Sequence, residues 1–88
     1  MKKNNNEYLM VFTCYSKAVF VYKKLIEKGY KVNLVSTPCK ISSGCSHSIR
    51  FKEEDFSIVK SETEKNNIVP KAIYKIVLQN NKESYELL

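Results

Sequence analysis

The sequence predicts a single α+β domain of the ferredoxin-like type, β-α-β-β-α-β, with a four-stranded antiparallel sheet and two helices on one face. Three observations predict it. The chain has 88 residues, enough for one core and too few for two ordinary domains. Segments with a two-residue hydrophobic period alternate with segments of helical period. The order of those segments, with right-handed crossovers, places the first strand centrally.

Tyr8-Leu9-Met10-Val11-Phe12 is a near-continuous apolar run of strand length, as suits a central strand. Thr13 is the expected cap of the helix that follows. Tyr15, Ala18, Val19, Tyr22, Leu25 and Ile26 recur at the spacing of one helical face, with Lys17, Lys23, Lys24, Glu27 and Lys28 turned to water. Gly29 supplies the left-handed residue that ends such a helix, and Tyr30 covers its last turn.

Lys31 to Ser36 alternates with Val32 and Leu34 on one face, and Pro38 ends the strand because it has no N–H for a ladder. Ser48 to Lys52 alternates again, with Ile49 and Phe51 together. Glu53-Glu54-Asp55 puts negative charge at the start of a second helix, whose thin apolar stripe is Phe56, Val59 and Thr63, ending near Lys65. Its acidic residues read as a solvated face. After the Asn66-Asn67 turn, Pro70 to Leu78 forms a fourth strand through Ala72, Tyr74, Ile76 and Leu78. Gln79 to Leu88 is left without an assignment. The domain is expected to span residues 1–88, with its core at about 8–78.

The formal net charge is +6, yet Arg50 is the single arginine among 15 basic residues. Phosphate and base recognition favour arginine's planar fork, and no nucleic-acid-binding aromatic motif is present, so nucleic acid is not the expected partner. Met1-Lys2-Lys3 is followed by Asn4, Asn5, Asn6 and Glu7, and the apolar run Tyr8 to Phe12 is too short for a signal core or a membrane span. A cytoplasmic location without membrane attachment is expected. A chain this small leaves much of its surface wet, so a homodimer is an expectation too.

Three cysteines, an odd number, do not describe a secreted disulfide framework. Two of them, Cys39 and Cys45, lie in the segment Thr37-Pro38-Cys39-Lys40-Ile41-Ser42-Ser43-Gly44-Cys45 between two strands. Ser42, Ser43 and Gly44 offer backbone N–H groups for an anion-binding concavity, and Lys40, His47 and Arg50 add positive charge nearby. Such surroundings favour a thiolate, the nucleophilic and metal-ligating form of cysteine. His47, two residues after Cys45 on an extended strand, points to the same side. Cys14 stands at the start of the first helix, where burial against the helix-sheet seam is expected.

The strand, the helix with its small-residue face, and Thr37-Pro38 followed by Ile41-Ser42-Ser43-Gly44-Cys45 resemble the selenium/sulfur carrier-like family, over about Tyr8 to Val77. The family's signature cysteine matches Cys45. The sequence departs from the pattern at Cys39-Lys40, where a basic residue often follows the proline, and at Ser46, where a second glycine often follows the cysteine. The resemblance implies a carrier rather than a catalyst, with Cys45 as the sulfur-bearing thiol and a sulfur or selenium donor or acceptor protein as partner. Cys39 is then the candidate resolving thiol. No cofactor is expected. A second reading is a small structural or partner-binding module in which Cys14, Cys39, Cys45 and His47 form a tetrahedral zinc site, although their spacing lacks the tight two-residue knuckle of common zinc motifs; a single-stranded nucleic-acid binder is a third, less favoured alternative.

Overall fold

The computed structural model of the chain describes residues 6–38, 40, 41 and 46–88. Strand β1 (Glu7–Phe12) leads to helix α1 (Tyr15–Glu27), followed by β2 (Asn33–Ser36) and β3 (His47–Lys52). A 3₁₀ turn at Glu53–Asp55 runs into α2 (Phe56–Lys65), and the hairpin β4 (Ala72–Gln79) and β5 (Lys82–Leu87) completes the fold. The sheet has the order β2-β3-β1-β4-β5, and every neighbouring pair is antiparallel. The apolar β1 is central, as its sequence requires.

Among the described residues the expected four strands are therefore five. The unassigned tail forms β5, because Asn80 and Asn81 both adopt left-handed φ, 51° and 65°. That pair of conformations makes a tight hairpin turn whose twist suits the flanking strands, and it returns the chain along β4 with Gln79 opposite Lys82.

Alternation splits β1 between two hydrophobic clusters. Met10 and Phe12 join Ala18, Val21, Leu25, Val32, Ile49, Phe51 and Val59 in the main core, so both helices lie on one face of the sheet. Leu9 and Val11 point to the other face, where Ile76 is buried with them and Val35, Ile41, Tyr74 and Tyr85 pack against them. No helix among the described residues covers that side, yet Leu9 and Val11 are each only 2% exposed.

Two details of α1 differ from the expected pattern. Its buried line runs Ala18, Val21, Leu25, while Tyr15 and Ile26 are exposed, so the helix is rotated from the face that its periodicity marked. Its N-cap position is Cys14, not Thr13. The C-terminal end forms as the sequence expects: Gly29 has φ +90°, its N–H donates to the Ile26 carbonyl, and the Tyr30 N–H donates to that of Leu25. This is the paired arrangement of a Schellman motif. The acidic face of α2 is not wholly solvated either, because Glu62 is buried and its carboxylate meets Lys28 Nζ at 2.7 Å.

Candidate functional site

The chain folds so that the connection from β2 to β3 emerges beside the start of α1. Register places Phe12 opposite His47 and Ser36 opposite His47 on the other side, so the ends of β1 and β2 meet the start of β3. Beyond the last β2–β3 pair, the Thr37 N–H donates to the Ser46 carbonyl at 3.1 Å. Under this bond the hydroxyls of Thr37 and Ser48 meet at 2.5 Å, both buried. Each hydroxyl satisfies the other in a place where an unpartnered one would be costly. The mouth of the connection is thus closed by a backbone bond and a buried side-chain bond.

The first part of the connection turns at once. The Ile41 N–H donates to the Pro38 carbonyl at 3.1 Å, Ile41 packs on the helix-free cluster, and Lys40 Nζ donates to the Glu83 carbonyl of β5 at 3.2 Å. Lys40 and Ile41 therefore lie over the open sheet face. Cys39, Ser42, Ser43, Gly44 and Cys45 lie outside the described residues, so the two thiols expected to act there carry no geometry here. In sequence Cys45 directly precedes Ser46, whose carbonyl closes the mouth.

Of the remaining expected site residues, His47 begins β3, and its ring meets that of Tyr15 edge-on with centroids 4.5 Å apart. Arg50 lies three residues further along and is engaged: its guanidinium pairs with Glu7, and Nη2 reaches Glu83 Oε2 at 2.8 Å. Hydrogen bonding to Glu83, with a further bond to Glu7, holds the Arg50 pKa well above its ordinary value. The same contact with Arg50 holds the Glu83 carboxyl below the usual carboxylate range. Lys40 and Arg50, both expected as cations flanking the thiols, thus converge on Glu83, one through its backbone and one through its side chain.

Cys14 corrects an expectation of burial. It is exposed, since the rotation of α1 turns the first helical turn outward. Its Sγ lies 3.0 Å from Ser16 Oγ. The Ser16 hydroxyl, and then the backbone amides of Lys17 and Ser16, lower the thiol's pKa. Sγ makes no full capping hydrogen bond, so those amides act as nearby dipoles at a helix N-terminus. Tyr15, next in sequence, is the residue whose ring touches His47. The alternative zinc ligands are thus divided: Cys14 and His47 stand at the same end of the sheet, and Cys39 and Cys45 lie outside the described residues. Among the described residues, no three His, Cys, Asp or Glu side chains gather as metal ligands.

Glu83, Glu7 and the Thr37–Ser48 pair escaped the sequence reading. The alternation of Thr37-Pro38 against Ser46-x-Ser48 offered a signal for the last of these, because polar residues flanking a loop on a strand pair invite a mutual hydrogen bond. Glu83 gave none while its segment had no assigned structure.

A small α+β domain with two helices on one face of an antiparallel sheet, and cysteines on the connection between β2 and β3, is the class that fold and site define. The chain belongs to the family described as "Putative Se/S carrier protein-like", whose family model matches residues 7–75. No curated protein and no solved structure matches it. No helix among the described residues is long and apolar enough to cross a membrane.

Proposed function

We propose that the protein carries sulfur or selenium between partner proteins as a persulfide or perselenide on Cys45. Family membership supports this reading, and the observation that carries it is the construction of the loop mouth. The Thr37–Ser46 and Thr37–Ser48 bonds fix both ends of the cysteine segment on a rigid sheet, while Cys45 itself joins directly to that frame. A carrier needs a thiol on a firm base within reach of a partner's thiol.

In the proposed cycle, the Cys45 thiolate attacks the outer sulfur of a donor persulfide. The new S–S bond forms at Cys45 and the donor's thiolate leaves. An acceptor thiolate then takes the outer sulfur by the reverse exchange, restoring Cys45. Where no acceptor arrives, the Cys39 thiolate attacks Cys45 Sγ, hydrosulfide leaves, and a Cys39–Cys45 disulfide remains for a thiol reductant to open. Ser42, Ser43 and Gly44 contribute backbone N–H groups toward the terminal anion, and Lys40 and His47 contribute flanking polarity. Arg50, bound to Glu7 and Glu83, serves this site by holding in place the β5 residue whose carbonyl Lys40 meets.

The test is transfer of labelled sulfur from a small persulfide donor under anaerobic conditions to Cys14→Ser, which removes the exposed thiol of α1, and to Cys14→Ser combined with Cys45→Ser or with Cys39→Ser. The expected result is label on Cys14→Ser and on its combination with Cys39→Ser, released by reductant, and none on its combination with Cys45→Ser. Equal labelling of the combination with Cys45→Ser would remove Cys45 from the role.

A further inference from the structure

The strand order ends with β5, which leaves one sheet edge without a strand partner among the described residues. Six residues long, it runs in unbroken register with β4 and contains no proline. Such an edge offers a row of backbone donors and acceptors to another strand.

The phase of that row follows from the hairpin. The Leu88 N–H donates to the Ile73 carbonyl at 3.0 Å, and antiparallel pairs alternate between hydrogen-bonded and non-hydrogen-bonded. Counting back by twos, Lys82, Ser84 and Glu86 direct their backbone groups to β4. Glu83, Tyr85 and Leu87 direct theirs to the free edge. Lys40 Nζ at the Glu83 carbonyl agrees with this phase, and a carbonyl oxygen keeps a second lone pair for another donor.

The charges on the strand then select a register. Consider two copies related by a twofold axis through Ser84 and perpendicular to the sheet. Glu83 falls opposite the partner's Tyr85, both with outward backbone groups, so they exchange hydrogen bonds. Lys82 falls opposite the partner's Glu86, and symmetry repeats the pair. Both residues are exposed, and neither belongs to an ion pair among the described residues. They occupy non-hydrogen-bonded sites, where opposing side chains are closest. A shift one way sets Glu83 against the partner's Glu83. A shift the other way sets Glu83 against the partner's Leu87 and leaves Lys82 without an acid.

We propose that the protein forms a twofold homodimer by antiparallel pairing of β5 with β5, joining two sheets into one and held in register by reciprocal Lys82–Glu86 pairs. Sedimentation over a range of protein concentrations tests it on the wild type, Lys82→Glu, Glu86→Lys and the double variant, with far-UV circular dichroism confirming each fold. The wild type should show a monomer–dimer equilibrium, and each single reversal should weaken it about tenfold or more by opposing like charges. The double variant should regain the wild-type equilibrium, because it restores opposite charges across the axis. Amide exchange at Tyr85 should slow as concentration rises. A wild type that stays monomeric, singles that dimerise as well as the wild type, or a double variant that stays weak would each overturn the proposal.

Discussion

The two ends of α1 are built in opposite ways. At its C-terminal end, Gly29 closes a Schellman motif, Leu25 is fully buried, and Lys28 reaches across to the buried carboxylate of Glu62. At its N-terminal end, Cys14 caps without a side-chain bond, Tyr15 is 57% exposed, and Ser16 and Lys17 are turned to solvent. The first end is finished by interactions that fix the helix on α2. The second is left accessible beside the mouth of the cysteine segment. The contacts that fix the helix and its exposed thiol thus occupy different ends, and substitutions at the two ends should separate accordingly.

The largest effect is expected at Gly29. A Cβ there meets nothing within 4 Å, so Gly29→Ala acts only through its left-handed backbone, φ +90°. It should cost about 1–2 kcal/mol in denaturant unfolding with no change in Cys45 labelling. A loss of labelling at unchanged fold would break the separation of the two ends.

Glu62→Gln should cost about 1 kcal/mol at neutral pH, the upper range for a partly exposed pair, because the Glu62 side chain is 5% exposed and that of Lys28 is 45% exposed. The hydrogen bond from Lys28, with a second from Asn66, holds the Glu62 pKa below its ordinary value. Its contribution is therefore complete above the ordinary carboxylate range and is lost as pH falls through the lowered folded value. Unfolding measured against pH should show a shallower acid slope in Glu62→Gln than in the wild type. Equal slopes would remove the ion pair from the account of that end.

The smallest effect on stability is expected at the other end. Cys14→Ser should leave the denaturant midpoint essentially unchanged, as for exposed sites generally. Its signature is chemical: with its pKa lowered by Ser16 and the adjoining amides, Cys14 should be alkylated faster than a free model thiol at a pH well below the ordinary thiol pKa, where its larger thiolate fraction outweighs that thiolate's lower nucleophilicity. Alkylation no faster than that thiol's would mean the helix end does not activate it.

Much of this arrangement is legible in the sequence, and the illegible parts have identifiable causes. The run Tyr8 to Phe12, the alternation of Ile49 and Phe51, and Gly29-Tyr30 after a helical period each encode their structure locally. β5 does not. Lys82 to Leu87 lies at a sheet edge with one face open, so its apolar alternation is diluted by charge, and its register comes from the left-handed Asn80-Asn81 turn. Glu62 reads as solvated because its partner Lys28 is 34 residues away. Arg50 reads as a free cation for a similar reason, since Glu83 belongs to the unassigned tail. The exposure of Cys14 depends on the rotation of α1, which packing against Met10, Phe12 and Val59 decides and the helical period leaves open. The cysteine pattern from Thr37 to Cys45 pointed to the family that the chain belongs to, and it did so by residue order rather than by any geometry of the site.

The most direct test of the sulfur-carrier reading is fragmentation mass spectrometry of the protein after anaerobic loading from a persulfide donor, locating the added sulfur among Cys14, Cys39 and Cys45. The account predicts one reducible sulfur atom on Cys45. Sulfur confined to Cys14, or no adduct on a folded protein, would contradict it.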